Sequence, residues 1–153
     1  MATKYPLGRK ESPPDARDWN LTNFMPKGAL KEVRMEEPIN VEWPFPGTTL
    51  NQGLTYHCTG FSKASYLINL PINTPCTNED GHRFYYEIKI IDGEPSQENG
   101  SYIRTVAKSL KNDGRIGAYA FAPNIATIKW WLINKGPVVM GTAWTSDMFT
   151  PDE

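Results

Sequence analysis

The sequence predicts an α+β fold, and three observations carry that reading. Four stretches, opening at Cys58, Arg83, Ser101 and Asn124, repeat apolar residues at helical spacing. One apolar, β-branched run, Pro137-Val138-Val139-Met140-Gly141-Thr142-Ala143, reads as a buried strand. The chain ahead of Leu50 is broken by prolines and shows no clean period. These features divide the sequence into 1–49, extended arm and loops; 50–136, a helical domain; and 137–153, a strand and a short irregular end.

Taken in order, residues Met1 to Pro14 are polar and proline-rich and read as an extended arm. Lys31 to Glu37 alternates in charge and suits a short helix. Pro38, Pro44, Pro46 and Gly47 then exclude regular structure. From Cys58, residues Phe61, Ala64, Tyr66, Leu67, Ile68 and Leu70 mark a helix. Pro71 to Gly81 is turn chemistry. Phe84, Tyr85, Ile88 and Ile91 make Arg83 to Ile91 a short helix, ended by Asp92-Gly93. Ser101 is a suitable N-cap for a helix with Ile103, Val106, Ala107 and Leu110 on one face, stopping at Gly114. Asn124 caps a further helix whose expected apolar face is Ile125, Ile128, Trp131 and Leu132, ending at Lys135-Gly136.

Composition bounds what the chain does. At 153 residues it is one domain by size, large enough for its own core. Sixteen Lys and Arg stand against seventeen Asp and Glu, a net charge of −1. Electrostatics therefore suggest neither a nucleic-acid nor a membrane partner. No apolar run reaches bilayer-spanning length, and Met1-Ala2-Thr3-Lys4 is followed by no secretory hydrophobic region. A cytoplasmic location is expected. Two cysteines are present. If Cys58 is free, Cys76 has no partner, so no internal disulfide is expected and a reducing compartment fits.

The chemistry-bearing stretch is Gln52-Gly53-Leu54-Thr55-Tyr56-His57-Cys58-Thr59-Gly60-Phe61. A cysteine at a helix start feels the positive end of the macrodipole, which favours the thiolate. The Cys58 N–H is an unpaired helix-start donor able to face a developing oxyanion. The side-chain amide of Gln52, six residues ahead, can supply a second donor. Neither His57 nor His82 has metal-ligand spacing with Cys58 or Cys76, so no metal is expected, and no cofactor is suggested. Gly-rich phosphate loops and a Gly-x-Ser-x-Gly elbow do not occur in the sequence. His57 neighbours Cys58 but points elsewhere at a helix start, and His82 reads as an exposed loop residue.

This stretch resembles the active-site cysteine region of papain-like cysteine peptidases, whose pattern is Gln-Gly-x-Cys-Gly-Ser-Cys-Trp-Ala-Phe. Gln52, Gly53, Cys58 and Phe61 match at the family's spacing. Thr55 stands where the family has a disulfide-forming cysteine, and Thr59 where it has Trp or Tyr. The local form is closer to divergent bacterial and phage members. Leu7-Gly8-Arg9 and Pro13-Pro14-Asp15-Ala16-Arg17-Asp18 resemble the opening of that group. Read without the resemblance, that opening is a proline-rich arm with one buried Trp, Trp19. Asn99-Gly100-Ser101 resembles the family's Asn-Gly-Gly stretch lining the substrate cleft, which implies Gly100 and Ser101 as substrate-backbone contacts; a plain helix cap is the other reading.

The resemblance implies a papain-like fold, present as its helical half plus the first strand of an incomplete β-barrel. It implies a hydrolase cleaving peptide bonds through a thioester on Cys58, with Gln52 in the oxyanion hole. The family's His and Asn lie about 130–150 residues after the cysteine, beyond Glu153. The expected partners are thus a peptide or protein substrate and a C-terminal complementary polypeptide; self-association is the alternative. The chain alone is expected to be inactive. Competing readings are an inactive papain-like binding or phage structural protein, in host cytoplasm or virion, and an amidase on the same scaffold.

Overall fold

A computed structural model describes residues 8–32 and 40–142. In chain order its elements are β1 (Arg9–Lys10), a 3-10 turn (Leu21–Phe24), α1 (Ala29–Glu32), α2 (Cys58–Ile68), α3 (Asn78–Ile91), β2 (Ser101–Tyr102), α4 (Ile103–Asn112) and α5 (Ile125–Asn134). The fold is mixed helical with one small sheet, in which β1 pairs in parallel with β2.

Helices α2, α3 and α4 form the core. Ala64 and Leu67 of α2, Phe84 and Ile88 of α3, and Val106 and Leu110 of α4 are buried against one another. Burying each such large side chain stabilises the fold by about 1.5–3 kcal/mol. The α2–α3 crossing is unusually close because it is made by glycines. A Cβ on Gly60 would stand 2.2 Å from the Gly81 carbonyl oxygen, and one on Gly81 would stand 2.9 Å from the Phe61 ring. Lys63 crosses the same interface fully buried. Its ammonium donates to Ser109 Oγ at 2.7 Å, pairs with Asp113 at 2.6 Å and lies over the Phe84 ring. One cation thus ties all three helices together.

Several sequence expectations are corrected. α3 begins at Asn78 rather than Arg83, because Thr77 and Asp80 form a reciprocal capping box and Gly81 is tolerated inside the helix by the close crossing. His82 therefore lies on a helix and is half-buried, not in an exposed loop. Ser101 is not a cap: it belongs to β2, its hydroxyl donates to Asp92 at 2.5 Å, and α4 starts without a side-chain cap. On α5 the buried residues are Thr127 and Trp130, while Ile125 is exposed. That helix is apolar almost all round, so periodicity does not select its inner face. Trp19 is half-exposed and packs on Phe24 rather than entering the core.

Residues 137–142 form no strand. They run as unpaired chain with alternating exposure, Val139 resting on the core while Val138 and Met140 face outward. A β-branched run makes a strand only where a neighbouring strand takes its hydrogen bonds, and among the described residues none pairs with it. Ala143 and residues 33–37 of the charged stretch lie outside the described residues. The proline-broken segment 40–57 carries no helix or strand, as its composition predicts.

Candidate active site around Cys58

Cys58 is the first residue of α2, and the loop from Gln52 returns to it. Gln52 and Cys58 line one cavity of about 450 Å³, together with Phe61, Ser62, Tyr66 and the 137–140 segment. The loop is held by its own hydrogen bonds. Gln52 Nε2 donates to the Thr55 carbonyl at 3.0 Å, and Thr55 Oγ1 donates back to the Gln52 carbonyl at 2.8 Å. A primary amide has a second N–H, so this contact leaves Gln52 one donor for a ligand. Gly53 takes a positive φ of 63°, which lets the loop reverse direction toward α2.

The thiol does not behave as helix position alone predicts. Burial pushes the Cys58 pKa up from the ordinary thiol range. The amides of Gly8, Thr59 and Cys58 itself act in the opposite direction, favouring the thiolate, and are outweighed. Cys76 is also a free thiol shifted upward by burial, then by the charge of Asp80.

Neither histidine serves Cys58. His57 is buried, stacks on Tyr85 with ring centroids 4.0 Å apart, and holds its Nδ1 2.7 Å from His82 Nδ1. Among the described residues its Nε2 has no hydrogen-bond partner, and it faces Glu98 at 3.9 Å. Burial and the neighbouring His82 lower its pKa, so it is held neutral.

Gly100 and Ser101 are separated from the cysteine by Gly8, on a heavily braced turn. Gly100 has φ 81°, and its N–H donates to Tyr85 Oη at 3.1 Å. Its carbonyl accepts from the buried Lys89 ammonium at 3.1 Å. Lys89 also pairs with Glu94 at 2.6 Å and donates to Asn99 at 2.9 Å. Asp92 accepts from Ser101 at 2.5 Å and from Thr105 at 2.6 Å. The Ser101 N–H is already engaged, donating to the Gly8 carbonyl at 2.8 Å. The structure thus brings Cys58 and Gln52 into one cavity, and joins Gly100 and Ser101 to Cys58 through Gly8.

The braced turn is not evident from sequence, although one signal points to it. Lys89 sits among Tyr85 and Ile88 on the face of α3 that the apolar spacing marks as inward. A lysine there needs a carboxylate within reach, and Glu94 stands five residues later. Gly8 carries no such signal. Among the described residues no group of three or more His, Cys, Asp or Glu is arranged to hold a metal ion, and no helix is long and apolar enough to cross a membrane. A scan against protein-family models, a search of curated proteins and a search of solved structures each returned no match.

Proposed function

We propose that Cys58 is the nucleophile of a papain-like cysteine peptidase, completed by a histidine from outside residues 1–153. The observation that carries this reading is the shared cavity of Cys58 and Gln52, with the cysteine at the start of α2. In the proposed reaction the Cys58 thiol gives its proton to the external base, and the sulfur attacks the peptide carbonyl. The Cys58 N–H and the free N–H of Gln52 receive the developing oxyanion. The protonated base then delivers its proton to the leaving amine, and the thioester forms. Water, deprotonated by the same base, hydrolyses the thioester and restores the thiol.

The need for an outside base comes from the histidines. The chain has two, and both are committed to the His57–His82 contact. An exogenous base therefore tests the reading. With an activated ester or thioester of a peptide, the full chain is expected to turn over in proportion to added imidazole and faster than imidazole alone, and Cys58→Ala is expected to show only the rate of imidazole alone. Equal imidazole-dependent turnover in Cys58→Ala sinks the assignment.

A second reading, a non-enzymatic module that holds an extended segment, is favoured by one observation. The chain's own Gly8–Lys10 already pairs along the Ser101–Tyr102 edge. No imidazole rescue, combined with a folded chain that retains this pairing, would select it.

A further inference from the structure

The N-terminal arm lies across the sulfur. A Cβ on Gly8 would stand 3.0 Å from Cys58 Sγ and 2.1 Å from the Tyr56 carbonyl oxygen, so only glycine fits there. On the opposite side a Cβ on Gly100 would stand 1.9 Å from the Gly8 carbonyl oxygen. Two glycines therefore meet where the two backbones touch. The Ser101 N–H donates to the Gly8 carbonyl, and Arg9 and Lys10 continue in register with Ser101 and Tyr102. The Arg9 side chain lies against Gly141, whose added Cβ would be 2.6 Å from Arg9 Nε. Lys10 is gripped at its end: its ammonium pairs with Glu94 at 2.6 Å and lies over the Tyr102 ring.

We propose that this track is a recognition site for an extended Gly-x-Lys peptide, filled in this chain by its own arm, which shields Cys58. The carbonyl of Tyr56 and the sulfur of Cys58 enforce glycine at the first position, the absence of a side chain on Gly100 lets the peptide backbone approach, and Glu94 selects lysine. Glu94 suits that role because it is shared by two ammonium groups, Lys10 and Lys89, which hold its carboxyl at about 2. It is ionised at any ordinary pH, and through Lys89 it is continuous with the brace of the Gly100 turn. The inference rests on the arm's contacts and not on the chemistry assigned to Cys58, so it stands or falls separately from the peptidase reading.

The test reads sulfur accessibility in the full chain. Cys58 carboxamidomethylation by iodoacetamide is timed by mass spectrometry in the unmodified chain, in Gly8→Val and in Lys10→Glu, with Cys76 as internal reference. Circular dichroism checks that each is folded. Gly8→Val should raise the Cys58 rate roughly tenfold or more by emptying the track, and Lys10→Glu should raise it less, with Cys76 unchanged in both. Acetyl-Gly-Arg-Lys-Glu-amide added to the Gly8→Val chain should return Cys58 toward the protected rate, and the same peptide with alanine for lysine should not. Equal Cys58 rates in the three chains, or equal protection by the two peptides, overturns the proposal.

Discussion

His57 and His82 face one another across the α2–α3 contact, their Nδ1 atoms 2.7 Å apart. A contact of that kind holds one proton between two nitrogens and breaks if both rings become cations. It places His57 at the entrance to α2 as a packed, neutral ring between Tyr85 and Tyr86. The residue beside the cysteine is thereby a structural support for the helix start, and among the described residues both histidines are engaged with each other and not with the thiol.

That arrangement predicts acid sensitivity. The groups facing His57 are His82, Tyr85 and Tyr86 of α3 and Glu98 of the loop after it. Burial, then His82, lowers the His57 pKa, with Glu98 opposing. Unfolded, the ring takes a proton near its ordinary value of about 6.5. Folded, it does so only at lower pH. Between the two the unfolded state binds more protons, so stability is full above about 6.5 and declines as pH falls through that window. Urea unfolding midpoints taken from pH 7.5 downward should show the decline. His57→Phe, which keeps a ring on Tyr85, should flatten it; an unchanged slope would assign the acid loss elsewhere.

The thiol itself should be sluggish at neutral pH. Because burial raises the Cys58 pKa, its alkylation rate in the full chain should keep rising above the ordinary thiol range of about 8.5. A rate already at its plateau below pH 7, measured by mass spectrometry of the Cys58 peptide, would show an activated thiolate and contradict the burial argument.

The glycine crossing makes a prediction of sign. In an exposed helix, Gly→Ala stabilises by about 1 kcal/mol. At Gly60 the added methyl would stand 2.2 Å from the Gly81 carbonyl oxygen and 2.5 Å from the Tyr85 amide nitrogen, both backbone atoms that cannot step aside. Gly60→Ala should therefore destabilise, by about 1–3 kcal/mol as for other overpacked sites. A rise in the melting temperature would mean that the two helices separate freely.

The buried lysine gives a graded test. Lys63 is fully buried, but its partners Glu87 and Asp113 remain more than a third exposed. Losing the ammonium therefore leaves carboxylates that water can reach, while Ser109 loses its donor in the interior. Lys63→Met keeps the apolar stem over Phe84 and should cost about 1–3 kcal/mol. Lys63→Ala also opens a cavity and should cost more. Chemical denaturation of the two variants separates charge loss from packing loss, and equal costs would mean that the stem contributes nothing.

How far the residues foretell the molecule depends on the range of the interaction. The α2 start at Cys58, the irregular path of residues 40–57 and the Asn124 cap of α5 are local, set by capping chemistry, apolar period and proline, and each is legible directly. α3 reads five residues short in the sequence because Gly81 looks like a breaker until Gly60 and Phe61 are placed against it. The site divides in the same way. Cys58 and Gln52 are six residues apart and are paired by spacing. Lys89 and Glu94 are close in sequence, but Lys10 reaches Glu94 across 84 positions and Gly8 reaches Ser101 from farther still, contacts that no local pattern encodes. The expected strand at 137–142 illustrates the converse: its residues have the propensity, and no neighbouring strand among the described residues realises it.

Gln52 offers the most specific check on the proposed chemistry. Its Nε2 already donates to Thr55, and a single further N–H is left for the oxyanion. That N–H strengthens only as negative charge develops on the substrate oxygen, so it acts on the transition state more than on the bound substrate. In the imidazole-supplemented reaction, Gln52→Ala should lower kcat by roughly 10²–10³-fold, as for other lost oxyanion donors, with KM little changed. Iodoacetamide, whose displacement of iodide develops no oxyanion, should alkylate Cys58 in Gln52→Ala about as fast as in the unmodified chain. A loss confined to KM would make Gln52 a substrate contact. A parallel loss in the alkylation rate would mean instead that the substitution has disturbed the 52–57 loop and moved the sulfur.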